Sequence, residues 1–228
     1  MSTVRLILLD IEGTTLPISF VRDVMFPYAA KALPALIEDH TNPQVVAARA
    51  DIAISHPGED PLKVCQDWMA KDEKAAPLKT LQGITWRQGF EDGTLRADLY
   101  KDVPPALKAW SEGGLRLAVY SSGSIPSQKL LYGYTEQGDL TSLFDGFFDL
   151  STGGKKDAAS YTKIAAACGL NPEDILFLSD IGAELDAALE AGLKVCQLVR
   201  PQDQTVPHEG VPHAADLNDV TQKFSLPT

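Results

Sequence analysis

The stretch "VRLILLDIEGTT", residues 4–15, decides the fold. A β-rich run with one charge stops at Asp10, and Glu12, Gly13 and two threonines follow. An apolar run of this length reads as a strand buried on both faces. Side chains alternate along an extended backbone, so Asp10 and Glu12 point to one side at the strand's carboxyl edge. Three further runs of the same kind are "LRLAVY" at 115–120, "ILFLS" at 175–179 and "KVCQLV" at 194–199. Helical patterns lie between them: "IPSQKLLYGY", "SYTKIAAACG", and "AELDAALEAG" with Gly192 as the stop. Strands alternating with helices imply parallel βαβ units, hence an α/β sheet covered on both faces. Ligands in such sheets sit at the carboxyl ends of the strands.

One stretch breaks the alternation. From Ile18 to Leu99 no buried strand is expected, while "FVRDVMFPYAAKALPALIED", "PLKVCQDWMAKD" and "ITWRQGFEDG" carry helical spacing. The expected organisation is an α/β core from 1–17 and 100–228, with 18–99 as an inserted helical domain and candidate lid. The tail from Gln202 reads as loop followed by a short polar stretch.

The 228 residues carry a formal net charge of -11, which disfavours nucleic acid and anionic membrane as partners. No run approaches the roughly 20 apolar residues of a membrane span, and no signal peptide is read at the start. Cys65, Cys168 and Cys196 are odd in number and widely spaced, which suits neither a disulfide framework nor a zinc site. A cytoplasmic monomer is the expectation.

Four polar signals punctuate the runs. A carboxylate at position 10 suits attack on a phosphoryl group, with Glu12 moving protons, although acids before Gly and Thr also make ordinary turns. In "VYSSGS", Ser121, Ser122 and Gly123 suit phosphate oxygens before a helix, or a plain turn. Lys155 and Lys156 lie in a glycine-preceded loop, where a lysine aimed at the acids would neutralise phosphoryl charge. Asp180 ends the third run. Magnesium takes one or two carboxylates plus waters and a substrate phosphate, which Asp10 and Asp180 would satisfy. Glu184 suits a helix start or the orientation of a ligand-binding group.

Taken together, the acid pair, serine turn, lysine and closing acid resemble the haloacid-dehalogenase superfamily. Within it, "DIEGTT", "WRQGFEDG", "VYSSGSIPSQKLLYGY", "KKDAASYTKIA", "ILFLSDIGAELDAA" and "VRP" are similar to the enolase-phosphatases of methionine salvage, over residues 6–201. Most phosphatases of the superfamily have Asp where Glu12 stands. The resemblance implies a Rossmann-like parallel sheet with an inserted helical cap. It implies a magnesium enzyme that enolises 2,3-diketo-5-methylthiopentyl-1-phosphate and then removes its phosphate to give 1,2-dihydroxy-3-keto-5-methylthiopentene. By motif, Asp10, Glu12 and Asp180 match the metal-binding acids, and Ser121 and Ser122 the phosphate-side contacts. Lys155, six positions before Tyr161, matches the substrate-binding lysine, with Lys156 beside it. Asp10 is either a covalent nucleophile or chiefly a metal ligand. The alternatives are a generic sugar-phosphate or phosphoglycolate phosphatase of the superfamily, a phosphoacceptor receiver module, and a member that has lost catalysis.

Overall fold

The computed structural model describes residues 3–228, so the first two positions of the expected core segment lie outside the described residues. In chain order the elements are β1 (Leu6–Leu9), α1 (Ile18–Phe20), a π-helical turn at Val21–Met25, α2 (Phe26–Ile37), α3 (Pro43–Ser55), α4 (Pro61–Ala70) and α5 (Ala76–Glu91). Then come α6 (Val103–Glu112), β2 (Arg116–Tyr120), α7 (Ile125–Gly133), β3 (Gly146–Phe148), α8 (Ala158–Cys168) and β4 (Ile175–Ser179). The chain finishes with α9 (Gly182–Glu190), β5 (Lys194–Leu198), β6 (His213–Ala214) and α10 (Leu217–Phe224). Contacts divide it into two compact units: the segment ending at Phe20 with Ala97–Thr228, and Val21–Arg96.

The first unit holds a six-stranded sheet in the order β3-β2-β1-β4-β5-β6, every neighbouring pair parallel. This is the α/β sheet the sequence implies, and all four long apolar runs are strands in it. Leu6 and Leu8 join Ala118, Tyr120, Ile175, Phe177 and Val195 in one core layer with Tyr161 and Ile164 of α8 and Leu185 of α9. Alternate residues Ile7, Leu9, Leu117, Val119, Leu176 and Leu178 are equally buried on the opposite face. Burial on both faces is why these strands are apolar without alternation.

The strand order reverses at β1: the chain moves outward through β2 and β3, then returns to β4 on the other side of β1. Loops leaving β1 and β4 diverge there, and the crevice at such a switch point is where doubly wound sheets bind ligands. Leu9 stands opposite both Val119 and Leu178, so Asp10, Ser121 and Asp180 leave three adjacent strands at nearly one level.

The second unit is helical, with its own core of Leu33, Leu36, Ile37, Val45, Ala48, Ile52, Val64, Cys65, Trp68, Leu78, Leu81 and Ile84. Apart from Pro34 inside α2, prolines stand in the first turns of its helices. Pro43 and Pro61 begin α3 and α4, where a missing N–H removes no helical bond, and Asn42 and Asp60 cap the turns by accepting from Gln44 N (3.0 Å) and Leu62 N (3.1 Å).

The tail departs from the sequence reading. Instead of loop and polar stretch, it adds β6 to the sheet edge and α10 to the core. Leu217 and Val220 are fully buried, and Trp110 Nε1 of α6 donates to Thr221 Oγ1 at 3.0 Å. Leu217→Ala is therefore expected to lose about 2–5 kcal/mol, as for a buried leucine. A urea titration checks this; a loss below about 0.5 kcal/mol would fit only an exposed tail.

Candidate active site

Asp10 follows β1 directly, and its N–H still donates to Leu178 O (2.9 Å), so the strand ladder fixes its backbone. The turn beyond it is closed by Thr14, Thr15 and Leu16 N–H groups donating to Ile11 O. Gly13 adopts φ +71, and a Cβ there would stand 2.5 Å from Asp180 Oδ2, so position 13 requires both a left-handed conformation and an absent side chain.

Asp10 Oδ1 accepts from Ile11 N–H at 2.8 Å and pairs with Lys155 Nζ at 2.6 Å. The same ammonium reaches Glu184 Oε2 at 2.7 Å. Ser179 Oγ lies 3.2 Å from Asp10 Oδ2 and 2.9 Å from Glu184 Oε2, so its single proton serves one carboxylate at a time. Asp10, Lys155, Asp180 and Glu184 are all buried. Of the two adjacent lysines, 155 is inside and 156 exposed. Tyr161 OH donates to Lys155 O at 2.6 Å, which ties the lysine loop to α8.

Charge in so dry a place shifts the acids. Burial first, and the Asp10 carboxylate second, push Asp180 up to about 7. Burial and Asp10 also raise Glu184, with Lys155 opposing them. Burial alone would lower Lys155, but the carboxylates of Asp10 and Glu184 outweigh it and hold the ammonium above its ordinary value.

Asp10 and Asp180 thus form a buried carboxylate pair whose mutual repulsion a cation would relieve. Two carboxylates leave room for the waters and phosphate oxygen that magnesium prefers, so the donor set fits that ion. Among the described residues no cluster of three His, Cys, Asp or Glu side chains is preformed. Glu12, named above as a third ligand, occupies an exposed position of the turn, its backbone bridged to Leu16.

On the other side of β1, Ser121 is buried and Ser122 exposed. Ser121 Oγ accepts from Gly123 N at 3.3 Å, and Ser124 caps α7 by accepting from Ser127 N at 3.4 Å. Gln128 Nε2 donates to Gly123 O and Phe148 O, both at 2.8 Å, which fixes the serine turn from below. The structure therefore gathers Asp10, Lys155 and Asp180 in one cluster and places the serines at the end of the neighbouring strand.

Sequence reasoning missed Ser179, hidden as the last residue of an apolar strand. It also missed the role of Arg200, whose Nη2 and Nε donate to Thr14 O at 2.8 and 3.2 Å while Nη1 reaches Asp102 Oδ1 at 2.8 Å. This buried guanidinium holds the turn after Asp10 and stacks 4.1 Å over Tyr100. The "VRP" triplet contained it without indicating what it touches.

Residues 4–192 match the haloacid dehalogenase-like hydrolase family. The chain is 81% identical over 224 residues to enolase-phosphatase E1 of Gluconobacter oxydans, covering 98% of this chain and 99% of that one. It is 55% identical to the enolase-phosphatase E1 of Gluconacetobacter diazotrophicus, over 97% and 94%. Among solved structures it is similar to the unknown transcript 4 protein of Saccharomyces cerevisiae, with a TM-score of 0.81 at 34% identity over 94% of this chain and 98% of that one.

Two stability measurements check the electrostatics. Lys155→Met leaves buried carboxylates without their cation and is expected to destabilise by about 3–5 kcal/mol at neutral pH, while the exposed neighbour Lys156→Met changes little. Equal effects on urea unfolding would contradict the assignment. For Asp180 the folded value lies above the ordinary 3.8, so its favourable contribution is complete at acid pH and lost as pH rises through about 7. In EDTA, Asp180→Asn is expected to gain stability relative to the wild type between pH 4 and 8. A difference constant across that range would contradict the shift.

Proposed function

The chain belongs to the haloacid dehalogenase-like hydrolases and, within them, to the enolase-phosphatase E1 family, and we propose that its strand-end cluster carries out both halves of the reaction that name describes. The substrate in this reading is 2,3-diketo-5-methylthiopentyl-1-phosphate, and the products are phosphate and 1,2-dihydroxy-3-keto-5-methylthiopentene. The observation that carries the proposal is the buried Asp10–Lys155–Glu184 ion network beside Asp180, at the switch point of the sheet.

The product has hydroxyls on C1 and C2, so the proton removed is on C1, the carbon that bears the phosphate ester. Glu12, in the turn after Asp10, is the proposed base: it takes this proton and returns it to the C2 oxygen, which becomes the enol hydroxyl. Removing the C1 proton first turns the phosphate's leaving group from an alkoxide into an enol oxygen, which carries negative charge more easily. Enolisation therefore prepares the second step.

In that step an Asp10 oxygen attacks phosphorus and the bond from phosphorus to the C1 oxygen breaks, so that oxygen leaves as the enolate. Water then attacks phosphorus, the Asp10 bond breaks, and Glu12 accepts the water's proton and passes it to the C1 oxygen, which returns Glu12 to its ionised form. Lys155 pairs with the buried Asp10 carboxylate at 2.6 Å and compensates its charge. Ser121 and Ser122 contact the phosphate. Asp10 and Asp180 would hold magnesium, which when bound would offset the negative charge on the substrate's oxygens. In the same reading Val21–Arg96 is the inserted cap, and the protein works as a monomer in the cytoplasm.

The test follows enol absorbance and released phosphate in parallel on the diketone phosphate. Enol is expected to precede phosphate, and EDTA to abolish both. Phosphate without an enol phase, or faster turnover of ordinary sugar phosphates, would overturn the bifunctional reading. Glu12→Gln is expected to slow enolisation by roughly 10²–10⁴-fold, the usual range for a lost general base. Full retention of both steps would remove Glu12 from the mechanism. Failure to trap a phosphoryl group or a phosphate mimic on Asp10 would contradict its attack on phosphorus.

A further inference from the structure

Gln197 is a polar residue in the middle of an apolar strand. It stands opposite Ser179 in the β4–β5 ladder and is 1% exposed. Burying an amide is unfavourable unless its groups are paired, and this one is paired at both ends. Its Nε2 donates to Asp180 O at 2.9 Å and Val206 O at 3.0 Å, and its Oε1 accepts from His208 N–H at 2.7 Å.

The contact with Asp180 lies one residue beyond the end of β4. There the Gln197 side chain supplies the donor that a longer strand would supply from its backbone. At the other end of the same peptide unit, Ile181 N–H donates to Ser179 Oγ at 3.1 Å. Both polar groups of the 180–181 peptide are therefore fixed, which sets the plane from which the Asp180 side chain departs. The 206–208 loop supplies the amide's two other partners. His208 Nε2 lies 2.9 Å from Asp186 Oδ1, and a Cβ on Gly182 would meet the His208 ring at 2.5 Å, so the imidazole packs on the first residue of α9.

We propose that Gln197 is a positioning residue that presets Asp180 for the divalent cation, through its hydrogen bond to the Asp180 carbonyl. The proposal rests on the reading that Asp10 and Asp180 hold magnesium. Two buried carboxylates that repel one another would separate if their backbones were free. Arranging them before the ion arrives removes a reorganisation step from binding, and lost outer partners of this kind typically weaken metal sites 10–100-fold.

The test is calorimetric titration of magnesium into the metal-free full-length protein, wild type against Gln197→Met, which is close in length but lacks the amide. The variant's magnesium dissociation constant is expected to rise by about 10–100-fold. The magnesium concentration for half-maximal phosphate release should rise in step, with kcat at saturating magnesium within about threefold of wild type. His208→Ala, which keeps the backbone N–H, is expected to leave magnesium affinity unchanged. An unchanged dissociation constant in Gln197→Met, with or without lower activity or thermal stability, would overturn the positioning role and leave the magnesium reading intact. Absence of magnesium binding in the wild type would overturn both. If Gln197→Met does not fold, Gln197→Asn, whose amide falls one methylene short of Asp180, carries the same readouts with the same expected weakening.

Discussion

The structure around the site depends on one constraint: three acids and a lysine have been taken out of water at the ends of β1 and β4. A buried carboxylate is tolerated when paired and hydrogen-bonded, and Lys155 alone pairs with two of them, Asp10 at 2.6 Å and Glu184 at 2.7 Å. Asp180 makes no ion pair among the described residues, and burial together with the Asp10 carboxylate pushes it up to about 7. One ammonium thus faces three carboxyl groups, so the cluster is short of positive charge, which fits a place where a cation binds. Much of the neighbouring architecture serves to hold these groups in position. Gly13 gives Asp180 room, Ser179 bridges Asp10 and Glu184, Arg200 anchors the turn after Asp10, and Gln197 anchors the peptide after Asp180.

That arrangement links fold to chemistry. A parallel sheet that reverses its order at β1 sends adjacent loops to opposite faces, which opens a crevice where Asp10 and Asp180 emerge on neighbouring strands. Electrostatic groups fixed in advance by a strand ladder need no reorganisation when charge develops on a substrate, and this is the usual source of a large catalytic effect. The same fixed set can serve two successive reactions because both build negative charge on oxygens at one end of the substrate.

The sequence revealed the interior strands and the acids at their ends. β1, β2, β4 and β5 are buried on both faces, so their runs are apolar without alternation, Gln197 apart, and each ends at the sheet edge. Edge elements were hidden for the opposite reason. β3 is three half-buried residues and β6 only two, too short to show a run. The polar helix α10 buries only Leu217 and Val220, and α3 lies in a stretch from which no helix was read. At the site, residues that touch ligands announce themselves by charge at a strand end. Residues that hold them do not: Ser179 reads as a strand residue, and Gln197 and Arg200 act through carbonyls of Asp180 and Thr14 distant in sequence. The one available signal was Gln197 itself, a glutamine interrupting "KVCQLV" where full burial favours an aliphatic residue.

In this mechanism proton removal at C1 comes before, and permits, loss of phosphate. The most direct measurement is a single turnover of substrate carrying deuterium on C1, with enol and phosphate followed together. A primary isotope effect on enol formation, with phosphate never released ahead of the enol, is the result this mechanism requires. Phosphate released at an undiminished rate from the deuterated substrate before any enol forms would contradict it.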